Sequence, residues 1–126
     1  IQSIRIPLLK DNIFKAYKVS KRFDDEISSV CAAFNLKIVR NKIKSVRIAY
    51  GGMAVVPKRA IYCEKILLNS LVTEKIINEA KKALEKDFKP ISDMRASRLY
   101  RMEVAKNLLE KCYVEIKQKQ LIGINI

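Results

Sequence analysis

The sequence predicts an α+β fold: an antiparallel sheet of three to four strands followed by about three helices packed on one face. Two observations predict it. Apolar residues alternate with polar ones through much of the first half, and recur at three- and four-residue steps through the second. Between the two regimes stands a glycine pair, Gly51-Gly52, two of only three glycines in 126 residues. Strands first and helices after give a sheet with its helices gathered on one side.

The elements follow in order. Residues 1–8, "IQSIRIPL", alternate Ile4, Ile6 and Leu8 with Ser3, Arg5 and Pro7, a short extended segment ended by Pro7. Residues 14–19 form a second extended stretch, and "SKRFDDE" (20–26) reads as a charged loop. In "ISSVCAAFNLKIV" (27–39), Phe34, Leu36 and Ile38 share one face. Asn41 tolerates the left-handed geometry of a turn, and residues 43–50 return as the second arm of a hairpin. Val46, Ile48 and Tyr50 alternate up to Gly51-Gly52, which permit a tight turn or a close backbone approach. "AVVPKRAIY" (54–62) reads as an edge strand because of Pro57.

A short helix is expected around 63–68. Thr73 is the expected N-cap of the next one, with Glu74 facing its positive end. Ile76, Ile77, Ala80, Ala83, Leu84 and Phe88 line its apolar face, and Lys89-Pro90 ends it. Ser97 reads as the N-cap of a last helix, with Tyr100, Val104, Leu108, Cys112 and Tyr113 on one stripe.

Composition excludes several chemistries. Histidine is absent, which removes Ser-His and Cys-His nucleophile pairs and most zinc sites. Cys31, Cys63 and Cys112 are scattered and lack the spacing of cluster ligands; the expectation is three reduced, buried thiols. No apolar run is long enough to span a membrane, and no signal peptide is visible. The chain does not start with Met, and is read as a piece of a longer protein.

The formal net charge is +13, from 26 basic and 13 acidic residues. Such a charge raises a nucleic-acid partner as an alternative function, with Tyr17, Phe23, Phe34, Tyr50, Tyr62 and Tyr100 as stacking rings. The basic residues are spread along the chain, and several of the rings fall on core stripes, which weighs against a stand-alone nucleic-acid-binding module.

Three stretches in order point to a family: "AYKVSKRFDDEIS" (16–28), "RIAYGGMAVVPKRA" (47–60) and "DMRASRLYRMEVAKNLL" (93–109). Together they resemble the C-terminal domain of the FAD-binding subunit of xanthine dehydrogenase-family molybdenum hydroxylases, a module shared with the flavoprotein of aerobic carbon monoxide dehydrogenase. The resemblance covers roughly residues 14–115. It implies that residues 1–13 are the end of, or linker from, an upstream FAD-binding domain, and that 14–126 are the C-terminal domain itself.

The resemblance also implies a setting. Electrons from hydroxylation at a molybdopterin centre pass through [2Fe–2S] clusters to FAD, and on to NAD or another acceptor. Molybdopterin and the clusters sit on partner domains or subunits. The enzyme is a cytoplasmic oxidoreductase, and this domain is not catalytic alone. The phosphates of FAD are held upstream, so this chain contributes an edge of the flavin site.

Site residues follow from the same resemblance. Lys18 matches a lysine beside the flavin, where a cation stabilises negative charge on the ring or bonds a ring carbonyl. Asp24, Asp25 and Glu26 match a charged loop on the flavin side; Phe23 departs from members with a basic residue there. Tyr50, Gly51 and Gly52 match an aromatic-Gly-Gly signature, read as architecture. Asp93, Arg95, Ser97, Tyr100 and Arg101 match the last signature, with Asp93 and Arg95 tying the preceding loop to the helix. Bacterial xanthine dehydrogenases are the branch that "SKRF" and "DMRAS" resemble most.

Overall fold

The computed structural model describes residues 12–23, 26–54, 56–89 and 95–121. Four strands, β1 (Ile13–Phe23), β2 (Glu26–Val39), β3 (Lys42–Gly51) and β4 (Lys58–Arg59), precede three helices, α1 (Ile61–Leu67), α2 (Glu74–Asp87) and α3 (Arg95–Leu121). The sheet is antiparallel in the order β1-β2-β3-β4. The α+β architecture is the one the change of period predicts.

Alternation decides which face is covered. Val30, Ala32, Phe34, Leu36 and Ile38 of β2 are buried, as are Ile43, Val46, Ile48 and Tyr50 of β3. Ile43 and Val46 are three apart, which plain alternation would put on opposite faces. The register shifts between Lys37 and Ile38, so that Lys37 faces Ser45 while Ile38 faces Ile43. The shift leaves Lys44 as an extra residue on β3, and this bulge restores the apolar set to one side. The β2–β3 turn is Arg40-Asn41, both at positive φ (53° and 63°), as a two-residue hairpin loop requires.

The helices lie on the buried face. α1 packs on β3, α3 runs across β2 and touches β1, and α2 packs on α1 and α3. Thr73 caps α2, its Oγ1 accepting from Ile76 N at 3.3 Å. Leu67, Leu84, Phe88, Ala105, Leu108, Leu109 and Cys112 complete the core. Four rings run through it edge to face: Tyr17 on Phe34, Phe34 on Tyr50, and Tyr50 on Phe88.

Several expectations need correction. "SKRFDDE" is mostly strand: Lys21 pairs with Ser28, Arg22 with Ile27 and Phe23 with Glu26, leaving only residues 24 and 25 between the arms. Charge on the side chains does not prevent a backbone ladder. The edge strand in 54–62 shrinks to Lys58–Arg59. Ser97 is not an N-cap, because α3 already begins at Arg95. Cys31 is exposed, since it alternates with the buried Val30 and Ala32; Cys63 and Cys112 are buried as expected. Residues 1–11, Pro90 and Asp93 lie outside the described residues. Among those described, no helix is long and apolar enough to cross a membrane.

Candidate functional site

The face of the sheet away from the helices holds an open groove of about 450 Å³, floored by two rows of paired residues. Ala16, Ala33 and Ala49 form one row; Lys18, Cys31 and Gly51 form the other. The ladder itself aligns them: Ala16 faces Ala33 and Ala33 faces Ala49, while Lys18 faces Cys31 and Cys31 faces Gly51. Pro57 stands at the border. Four of the six floor positions carry a methyl group or less, so a flat molecule can approach the peptide planes. Lys18 is exposed and is the one charged residue among the groove's described lining.

The groove ends at the aromatic-Gly-Gly turn, and the two glycines serve different needs. A Cβ at Gly51 would lie 2.7 Å from Cys31 Sγ, so a side chain there would push that thiol aside. Gly52 has φ 85°, a conformation that L residues rarely adopt. α3 holds the turn from the buried side. Tyr50 Oη donates to Ala105 O at 2.8 Å, Arg98 Nη1 to Met53 O at 2.8 Å, and Arg101 Nη1 to Gly52 O at 3.0 Å. Burial pushes the Tyr50 hydroxyl well above its usual range, with the nearby Cys63, Cys112 and Asp87 adding to the shift, so the tyrosine is a neutral donor.

The buried thiols are inert. Burial first, and the Asp87 and Glu64 charges after it, raise Cys63; burial and Glu115, against a smaller opposing effect of Lys15, push Cys112 up to about 12. Among the described residues no group of three His, Cys, Asp or Glu could hold a metal ion.

Of the residues singled out from sequence, the structure brings Lys18, Gly51 and the Tyr50 backbone to one groove. Asp24 and Asp25 lie outside the described residues, and of Glu26 only its place at the start of β2 is described. Arg101 bonds the glycine turn. Arg98 and Cys31 were missed as site residues. The parity of β2 could have placed Cys31 on the groove, and the three-residue spacing of Arg98 and Arg101 could have placed both on one side of α3. Of the proposed stacking rings, Phe34 and Tyr50 are buried and unavailable.

A model of the CO dehydrogenase flavoprotein C-terminal domain matches residues 15–116. The glyceraldehyde dehydrogenase medium chain of Sulfolobus acidocaldarius is 28% identical over 116 residues, which are 92% of this chain and 41% of that one. The xanthine dehydrogenase of Emericella nidulans is 38% identical over 92 residues, 70% of this chain and 7% of that protein. Among solved structures, the carbon monoxide dehydrogenase of Hydrogenophaga pseudoflava superposes with a TM-score of 0.69 at 19% identity, covering 82% of this chain and 36% of that one. The chain thus spans well under half the length of these relatives. With the family's segment matched from β1 into α3 and its fold reproduced, the chain belongs to the CO dehydrogenase flavoprotein C-terminal domain family.

Proposed function

We propose that this domain forms one wall of the flavin site in the FAD-binding subunit of a molybdenum hydroxylase, with the sheet groove facing the isoalloxazine ring. The observation that carries the reading is the groove itself: a floor of alanine and glycine with one cation, Lys18, in a chain of this flavoprotein family. The residues fit the group. Methyl-sized side chains leave room for a flat ring, and an ammonium at the edge favours negative charge on it. FAD supplies the electron transfer. This chain's part is to hold the ring against a rigid surface, to exclude water from that face, and to place Lys18 near it.

The whole enzyme is read as a cytoplasmic, xanthine dehydrogenase-like oxidoreductase. Partner domains or subunits carry molybdopterin and [2Fe–2S] clusters, an upstream domain holds the FAD phosphates, and NAD or another acceptor takes the electrons. The residues read as flavin-side are Lys18, Asp24 and Asp25. The relatives are named for glyceraldehyde, xanthine and carbon monoxide, yet share this domain. Substrate choice therefore belongs to another part of the enzyme.

The test is Lys18→Ala in the full-length subunit. Lys18 is exposed and outside the core, so the fold should be unaffected. Loss of the cation should lower the flavin potential by about 20 mV, which corresponds to about 1 kcal/mol for a partly screened charge in a two-electron couple. Turnover with the flavin's own acceptor should fall, while turnover with an artificial acceptor that bypasses FAD stays the same. An unchanged potential with unchanged acceptor turnover would leave Lys18 as an ordinary surface lysine.

A further inference from the structure

Arg98 and Arg101 stand one turn apart on α3, and both reach the glycine turn. Each spends one N–H on a carbonyl of that turn: Arg98 Nη1 on Met53 O at 2.8 Å, Arg101 Nη1 on Gly52 O at 3.0 Å. Each also keeps a buried nitrogen, Arg98 Nη2 and Arg101 Nε, with no hydrogen-bond partner among the described residues. Arg98 is only 8% exposed. Neither guanidinium forms an ion pair with a carboxylate among those residues, where the ion pairs join other side chains.

Two like charges near each other, one buried and one partly exposed, each with a buried unused donor, are costly unless an anion completes them. Burial lowers the Arg98 pKa and the Arg101 charge lowers it further. The chain has twice as many basic as acidic residues.

We propose that Arg98 and Arg101, with the Gly52–Met53 turn as their anchor, form an oxyanion site that takes a carboxylate or phosphate group. The carbonyl bonds hold both guanidinium groups at the turn, each with a spare N–H. Planar guanidinium donors match the paired oxygens of carboxylate and phosphate. Arg101 is partly exposed, so the anion enters on its side. A carboxylate would come from an acidic side chain of adjoining polypeptide, and a phosphate from a free or nucleotide-borne group. The site is independent of the flavin reading, because it requires nothing of Lys18 or the groove.

The test titrates the 126-residue chain with inorganic phosphate and, separately, with acetate, ionic strength being held constant with chloride. Thermal unfolding and the arginine Nε–Hε NMR signals are followed. The expected result is a rise in Tm of about 5 °C at tenfold excess over Kd, which chloride does not produce. The Arg98 and Arg101 signals should shift with the same midpoint. Arg98→Met should abolish the effect, and Arg101→Lys should weaken binding about tenfold, because a point charge cannot fork. Binding of acetate assigns the site to a carboxylate, and binding of phosphate alone assigns it to a phosphate; either supports the proposal. No effect beyond chloride, or an equal effect in Arg98→Met, overturns it. Binding that appears only in Asp93→Asn also overturns it, because Asp93 would then be the internal partner. Should Arg98→Met fail to fold, the wild-type Nε–Hε shifts decide alone.

Discussion

Asp87 belongs to the last turn of α2, but its carboxylate serves α1. Oδ1 accepts from Tyr62 N at 2.8 Å and Oδ2 from Cys63 N at 3.0 Å. α1 has Ala60 in the cap position and no side-chain cap of its own. A buried anion from a neighbouring helix therefore satisfies two of its free N–H groups and faces its positive end. Asp87→Asn keeps one acceptor and turns an amide donor toward an N–H. We expect it to lower stability by about 1–3 kcal/mol in urea unfolding. A loss near zero would show that water caps α1 equally well. Nothing in the sequence marks Asp87 for this role, because its partners lie about 25 residues away and only packing joins them. Cys31 is the opposite case, since its exposure follows from strand parity. Thiol labelling should modify Cys31 rapidly in the native chain, and Cys63 and Cys112 only on unfolding. Slow labelling at all three would place Cys31 under cover.

Two turns show how unevenly elements can be read from sequence. The β2–β3 hairpin is legible because Asn41 suits positive φ and apolar residues alternate on both sides. Its bulge is written as two polar residues, Lys44-Ser45, between the inward Ile43 and Val46, but its register emerges only from pairing with β2. The β1–β2 hairpin is hidden by charge: its last pairs fall in a stretch whose composition resembles a loop. Arg40 is the weak point of the legible turn, since its φ of 53° crowds its Cβ against the backbone. Arg40→Asn should stabilise the chain by roughly 0.5–1 kcal/mol, because Asn tolerates that region better. Arg40 is exposed, so little packing is lost. Equilibrium denaturation of the two proteins checks this, and destabilisation by the variant would mean that the arginine head group contributes more than its backbone costs.

At the scale of the whole molecule, α3 links the two ends of the sheet. With 27 residues it is about 40 Å long. Near its start Arg98, Arg101 and the Ala105 carbonyl hold the glycine turn; near its end Lys117 and Gln120 donate to Asn41 Oδ1 in the far hairpin. Between them Glu115 accepts from Tyr17 Oη and pairs with Lys15 of β1. The sequence showed the stripe of α3 but not this span, because its partners Gly52, Met53 and Asn41 lie far away along the chain and only packing joins them. All three helices gather on one face, and among the described residues the other face keeps its groove bare. One wall is not a flavin site: a ring lying on Ala16, Ala33, Ala49 and Gly51 would still have its second face in water. The 126-residue chain should therefore fold, since its core is continuous, yet bind FAD with a Kd weaker than about 100 μM, which corresponds to less than about 5.5 kcal/mol. Quenching of flavin fluorescence during titration with the pure chain measures this directly. Lys18→Ala should weaken whatever binding remains, because the cation borders the groove. Stoichiometric binding at micromolar concentration would show that this domain holds the cofactor without a second wall, and that the flavin site is built mainly from the sheet.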